Sequence, residues 1–196
     1  MIEPTQEGFW GHLEPPYRTI VADPPWRYAS AATKADARKH YSTMGLADIC
    51  AMPVAALADE SAHLWLWGTN ALMYEAHLVC RAWGFRPLTV VTWCKAGPGV
   101  GHYLRNNTEH VILASKGKPA TPKEKPLSTW FQWEAGQHSA KPGAFFDLVE
   151  RVSVGPFVEI FARQPRLGWD HWGKGFESRI ANVEPRLAEV AMEASS

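Results

Sequence analysis

Three observations predict an α/β fold with a largely parallel central sheet flanked by helices. The run Ala62-His63-Leu64-Trp65-Leu66-Trp67 is apolar on both faces, as suits a strand in the middle of a parallel sheet. It is followed by Leu72, Ala76, Val79, Cys80 and Trp83 at helical spacing, with Gly84 as a natural C-cap. Pro87 to Trp93 then reads as another strand. This alternation of strand, helix and strand marks a βαβ unit, so the sheet is expected to be Rossmann-like with helices on both faces.

Taken in order, residues 1–17 are rich in Pro, Gly and aromatics without periodicity, and are expected to form an arm over part of the fold. Thr19-Ile20-Val21-Ala22 is a short apolar strand that Asp23-Pro24-Pro25 ends abruptly, because neither proline donates a ladder hydrogen bond. Arg27 to Thr43 reads as a loop that closes over a ligand, with Tyr41 on its far side. A short helix is expected from Leu46 to about Met52, broken by Pro53, with a further turn through Ala55 to Ala58. Beyond the βαβ unit, a glycine-containing connection leads from Lys95 through Arg105 to a strand over Glu109–Ala114. It lacks the Gly-Lys-Ser/Thr of a phosphate-binding P-loop and reads as a loop that faces nucleic acid. Lys116 to Pro126 is expected to be exposed. An amphipathic helix through Phe146, Val149 and Val152 follows Pro142, which fits a first helical turn. Phe157–Phe161 is the last strand, and Trp169, Trp172 and Gly173 are placed in a loop. One catalytic domain over 18–180 and a polar tail over 181–196 complete the division.

The strand end at Asp23-Pro24-Pro25-Trp26 is the candidate active site. Ligands of α/β sheets bind at the carboxyl ends of strands, and here a carboxylate, a proline carbonyl outside any ladder and an indole are presented together. Methylation of an exocyclic amine on a nucleobase suits this set. That nitrogen is a poor nucleophile, since its lone pair is delocalised into the ring. Asp23 and the Pro24 carbonyl would accept its two hydrogens while Trp26 stacks the base, which is catalysis by positioning and electrostatics. The simpler reading is a strand, a proline turn and a core tryptophan. Lys141, just ahead of a helix N-terminus, suits a carboxylate ligand; the simpler reading there is a solvent-facing lysine. Arg163 sits at the end of the last strand, on the sheet edge where a cofactor would lie.

Composition bounds the classes. With 46% hydrophobic and 20% charged residues the chain is an ordinary globular protein, while ten tryptophans point to stacking surfaces. Net charge is zero, so a nucleic-acid partner must be met by a local patch rather than a global field. Between Arg86 and Trp130 seven basic residues face two acidic ones, and Lys34, Arg38 and Lys39 form a second cluster. Either run also fits a solvated loop. Cys50, Cys80 and Cys94 have no paired spacing and are expected as reduced thiols. No apolar run is long enough to span a bilayer and Met1-Ile2-Glu3-Pro4 does not begin a signal peptide, so a cytoplasmic location is expected. No metal or covalent nucleophile is called for.

The ordered set Asp23-Pro24-Pro25-Trp26, Tyr41-Ser42-Thr43-Met44, Leu64-Trp65-Leu66-Trp67, Trp93-Cys94-Lys95, Gly101 to His110, His138-Ser139-Ala140-Lys141-Pro142 and Glu159-Ile160-Phe161-Ala162-Arg163 resembles the MT-A-seventy family of adenine amino-methyltransferases, small bacterial or phage type. The resemblance implies a Rossmann-like methyltransferase fold with permuted motif order and S-adenosylmethionine as methyl donor. By position it implies that Asp23 holds the target amine and the donor's ammonium, with Pro24, Pro25 and Trp26 completing the catalytic motif. Lys141 would receive the donor carboxylate. Phe161, Arg163 and Gly173 would belong to the donor site and Tyr41 and Glu109 to the base pocket, while Lys95 and Arg105, on the basic loop, are the candidate nucleic-acid contacts. Where many members have Asn and then an acidic residue or Gln after the glycine, this chain has Lys174-Gly175.

The function expected is transfer of a methyl group to the 6-amino group of adenine in DNA. DNA is preferred over RNA because the chain is small and carries no zinc fingers or partner-binding extensions. An RNA adenine methyltransferase, and a non-catalytic nucleic-acid-binding relative whose donor affinity is lost through Lys174, are the alternatives. A protein-glutamine methyltransferase is more distant, because such enzymes close the ledge with Tyr rather than Trp.

Overall fold

The computed structural model describes residues 9–27, 43–97, 99, 103–120, 127–134 and 141–173. Tyr41, the cluster Lys34, Arg38 and Lys39, and Lys174-Gly175 lie outside the described residues. Chain order is β1 (Tyr17–Ala22), α1 (Leu46–Cys50), β2 (Ala58–Gly68), α2 (Met73–Ala82), β3 (Arg86–Cys94), β4 (Thr108–Lys116), β5 (Trp130–Phe131), α3 (Gly143–Val152), β6 (Phe157–Ile160) and β7 (Trp169–Trp172). One-turn 3₁₀ segments at Val54–Ala56 and Asn70–Leu72 precede β2 and α2.

The strands form one seven-stranded sheet in the order β5-β3-β4-β2-β1-β6-β7. β1 pairs in parallel with β2 and β6, β6 with β7, and β3 with β5. The α/β architecture with a largely parallel sheet is therefore as expected, with three refinements. β4 runs antiparallel to both β2 and β3 and lies between them, so the βαβ unit straddles a reversed strand. Trp169–Trp172 is an edge strand rather than a loop: its four residues continue the parallel ladder of β6. β5, a two-residue strand on the opposite edge, had no sequence signal at all.

Alternation along the central strands feeds two apolar layers. Ile20 and Ala22 of β1, Leu64 and Leu66 of β2, and Val158 and Ile160 of β6 pack with Ile49 of α1 and Ala76 and Val79 of α2. On the other face Val21, Trp65 and Trp67 pack with Val91, Trp93 and Phe145, Leu148 and Val149 of α3. Because both faces of β1 and β2 are covered, neither strand alternates with polar residues. Of the apolar positions expected to define the last helix, Val149 is fully buried while Phe146 and Val152 flank the cluster; Phe145 and Leu148 carry the rest of its contact. Pro142 is the residue before the first turn, not within it. Trp10 and Leu13, in the segment ahead of β1, are buried in the first layer.

Candidate active site

β1 delivers Asp23 to the carboxyl edge of the sheet, beside the ends of β2 and β6. The two prolines that follow cannot continue the ladder, and the chain turns sharply: the Trp26 N–H donates to the Pro24 carbonyl at 2.8 Å. The Pro24 oxygen therefore keeps one lone pair for a ligand, not two. Met44 N–H donates to the Pro25 carbonyl at 2.8 Å and Arg27 N–H to Met44 O at 3.2 Å, which bonds the ledge to the segment just ahead of α1. Trp26 is only 8% exposed, and its Nε1 donates to the Trp67 carbonyl at 3.1 Å. This corrects the stacking role expected of it: the indole anchors the ledge to β2 and presents no open face to a base.

Asp23 sits in a row of alternating charges. Lys141 Nζ lies 3.2 Å from Asp23 Oδ1 and 2.9 Å from Glu109 Oε2, and Lys95 pairs with the other Glu109 oxygen. Arg163 Nη2 is 4.0 Å from Asp23 Oδ2. Lys141 also lies over the Trp67 ring at 4.3 Å and Lys95 over Trp93 at 4.6 Å, favourable cation–π placements. Burial opposes the charge of Lys141, but Asp23 and Glu109 outweigh it and hold the ammonium above its usual range. Burial likewise works against the Glu109 carboxylate, and Lys141 and Lys95 together hold it below its usual range. Lys141 is thus not an open receptor. Two of its three N–H groups are engaged by carboxylates, leaving one for a ligand.

A cleft of about 180 Å³ opens at this edge, lined by Asp23, Lys141, Glu159, Phe161, Arg163 and the start of α3. Glu159 on β6 is a cleft residue to which sequence reasoning assigns no role. It is 8% exposed, and among the described residues it makes no hydrogen bond. Burial first, and then the negative charge of Asp23, push its carboxyl up to about 8, so it carries its proton at neutral pH. The signal was present, since a glutamate inside the apolar strand Phe157-Val158-Glu159-Ile160 must face something polar.

Phe161, just past β6, holds a left-handed φ of 66°, a conformation costly for a side chain of this size. Its ring meets Trp172 edge-on at 5.8 Å, and Ala162 N–H donates to the Trp172 carbonyl at 2.9 Å. Gly173 supports this turn from below: a Cβ there would lie 2.5 Å from the Ala162 carbonyl oxygen, so only glycine fits. Gly173 shapes the cleft without lining it, and Arg105 stands outside it on the β3–β4 loop.

The site's chemistry is that of a cationic ligand with a carboxylate tail, bound next to an acceptor for an amine. Asp23 and Glu159 suit the positive part, and Lys141 and Arg163 the negative. No group of histidines, cysteines and carboxylates able to hold a metal occurs among the described residues. No helix among them is long and apolar enough to cross a membrane.

Comparison with known proteins identifies the family. The chain is 30% identical over 193 residues to the Type II methyltransferase M.MunI of Mycoplasma sp, covering 88% of this chain and 83% of that one. It is 24% identical over 156 residues to the human N(6)-adenosine-methyltransferase catalytic subunit METTL3, spanning 26% of that protein. It is 28% identical over 179 residues to the N6-methyladenosine RNA methyltransferase MTA1 of Cryphonectria parasitica, spanning 51% of it. The family model described as MT-A70 matches residues 17–175, from the first residue of β1 to just past β7, and the chain belongs to that family.

Proposed function

We propose that this chain transfers a methyl group from S-adenosylmethionine to the 6-amino group of adenine in DNA. The observation that carries the reading is Asp23, held at the mouth of the cleft between Lys141 and Arg163, with the Pro24 carbonyl beside it. S-adenosylmethionine, when bound, supplies an electrophilic methyl on sulfonium and leaves as a neutral thioether. The residues do the rest. Asp23 and the free lone pair of Pro24 accept the two amine hydrogens and draw the nitrogen towards tetrahedral geometry. As the nitrogen acquires positive charge, the Asp23 carboxylate stabilises it and takes up the proton released. Lys141 holds Asp23 in place, and its remaining N–H and the Arg163 guanidinium meet the donor's carboxylate end. Glu159 meets its cationic part.

The family resemblance assigns Glu109 and Tyr41 to the base pocket, and Lys95 holds Glu109 in place. The catalytic unit is residues 18–180, preceded by an arm and followed by a tail, and it works in the cytoplasm. DNA is favoured because the resemblance to the bacterial Type II methyltransferase runs over most of both chains, whereas the adenosine methyltransferases are matched over a quarter to a half of their length. Competition between adenine-containing DNA and RNA oligonucleotides for labelled methyl tests the preference. Label confined to RNA would replace DNA by RNA as the substrate.

A further inference from the structure

The β3–β4 connection, residues 95–107, leaves and rejoins the sheet at the same edge as Asp23, because the end of β3 and the start of β4 both lie beside the end of β2. Its stem is closed. Lys95 N–H donates to the Asn107 carbonyl at 2.7 Å. Gly99 comes so near Asn106 that a Cβ would lie 1.6 Å from its carbonyl oxygen, so the two arms meet backbone to backbone. Asn70, past the end of β2, donates to the Thr108 carbonyl and hydroxyl at 3.3 and 3.1 Å. The stem is also joined to the site, since Lys95 pairs with Glu109, and Glu109 with the lysine that holds Asp23.

On this fixed stem stand two large apolar side chains fully in water: Tyr103 is 101% exposed and Leu104 82%. Single exposed apolar residues need no explanation, but two adjacent ones on a braced loop at the active edge do. Arg105 follows. Its only hydrogen bond is to the Gly99 carbonyl at 3.4 Å, and it meets no carboxylate among the described residues. Among the described residues, Arg27, next to the ledge, donates side-chain hydrogen bonds only to the Thr43 carbonyl and hydroxyl. A narrow apolar tip flanked by guanidiniums that meet no carboxylate among the described residues suits insertion into a stack bordered by phosphates. It does not suit a flat protein partner, for which a continuous apolar surface is needed.

We propose that Tyr103 and Leu104 form a wedge that enters the base stack of duplex DNA as the target adenine turns out, with Arg105 and Arg27 on the flanking phosphates. An adenine inside a duplex cannot reach Asp23, and turning it out leaves a gap that apolar side chains fill. This rests on the adenine-methylating function proposed above.

The test is methyl transfer by the full chain and its Tyr103→Ala/Leu104→Ala double variant. Three substrates are compared: an adenine paired with thymine in a duplex, the same adenine opposite an abasic site, and the single strand. A 2-aminopurine at the target position reports extrusion independently of transfer. The double variant is expected to lose about 10–100-fold on the paired duplex, together with the fluorescence rise, and to stay within about threefold on the other two substrates, where no pair must be opened. Equal loss on all three, no loss on the duplex, or a wild-type chain that methylates single strands but never the paired duplex would overturn the wedge while leaving adenine methylation standing. No transfer by wild type to any substrate would overturn the functional reading and the wedge with it.

Discussion

Glu159 is the residue whose protonation is tied most closely to ligand binding. Its carboxyl, raised to about 8 by burial and the nearby Asp23 charge, is neutral in the free protein below that pH, while a bound cation favours the ionised form. Donor binding is therefore expected to release a proton between about pH 6 and 8, and affinity to rise with pH across that window and level off above it. Calorimetry in buffers of different ionisation enthalpy reads the proton, and Glu159→Gln should abolish it; unchanged proton release in that variant would remove Glu159 from the donor site. The same shift acts on stability. A carboxyl whose ordinary value is 4.5 and that is raised when folded binds its proton more tightly in the native state. Its contribution is full below about 4.5 and lost as pH climbs through 8, so melting temperature should fall over that range more in wild type than in Glu159→Gln. Lys141→Ala strands two carboxylates at once. Breaking a buried ion pair costs about 3–5 kcal/mol, so urea denaturation should show a loss of that order alongside lost donor binding. At this scale the sequence led to Asp23, Lys141, Phe161 and Arg163, which do meet in one cleft, because a strand end and a helix start are local signals. It misassigned the Trp26 face, since whether an indole lies open or buried depends on what β2 brings beside it.

Among the elements, the close approach of the backbone just past the ends of the parallel neighbours β6 and β7 sets the shape of the cleft. Gly173→Ala pushes a methyl into the Ala162 carbonyl and must displace the strained Phe161 turn. Overpacking of this kind costs about 1–3 kcal/mol. The variant should unfold at lower urea and bind donor more weakly, and a variant that keeps both properties would show that the close approach is dispensable. β7 was missed because four residues, two of them tryptophans whose bulk suits a loop equally well, carry too short a pattern to separate strand from loop. The reversal of β4 was within reach of the sequence. No helical spacing occurs between Trp93 and Glu109, and successive strands joined without a crossover helix pair antiparallel.

Across the whole molecule, the basic run read from the sequence divides between two edges. Lys95 and Arg105 stand at the carboxyl edge of β2. Arg86 and Lys116 lie at the far ends of β3 and β4, the latter donating to the Ala55 and Ala58 carbonyls. Nine residues of strand separate those edges by about 27 Å. Sequence proximity gave the charge but not its sign of use, because a strand carries its two ends apart. With net charge zero and, among the described residues, Arg27 and Arg105 meeting no carboxylate at the site, binding to duplex DNA should depend only modestly on salt, with log K falling against log salt at a slope of about −2. A slope several times steeper, measured by fluorescence anisotropy, would mean that many more phosphates are met than Arg27 and Arg105 supply. The central claim, that Asp23 at the end of β1 prepares an adenine amine for methylation, is tested most directly by transfer of labelled methyl from S-adenosylmethionine to adenine-containing DNA and RNA, beside Asp23→Ala. Label is expected on DNA, disappearing when adenine is omitted and falling at least about 100-fold in the variant, the loss typical of a key transition-state contact. Label that survives in Asp23→Ala, or that persists on polymers without adenine, would contradict it.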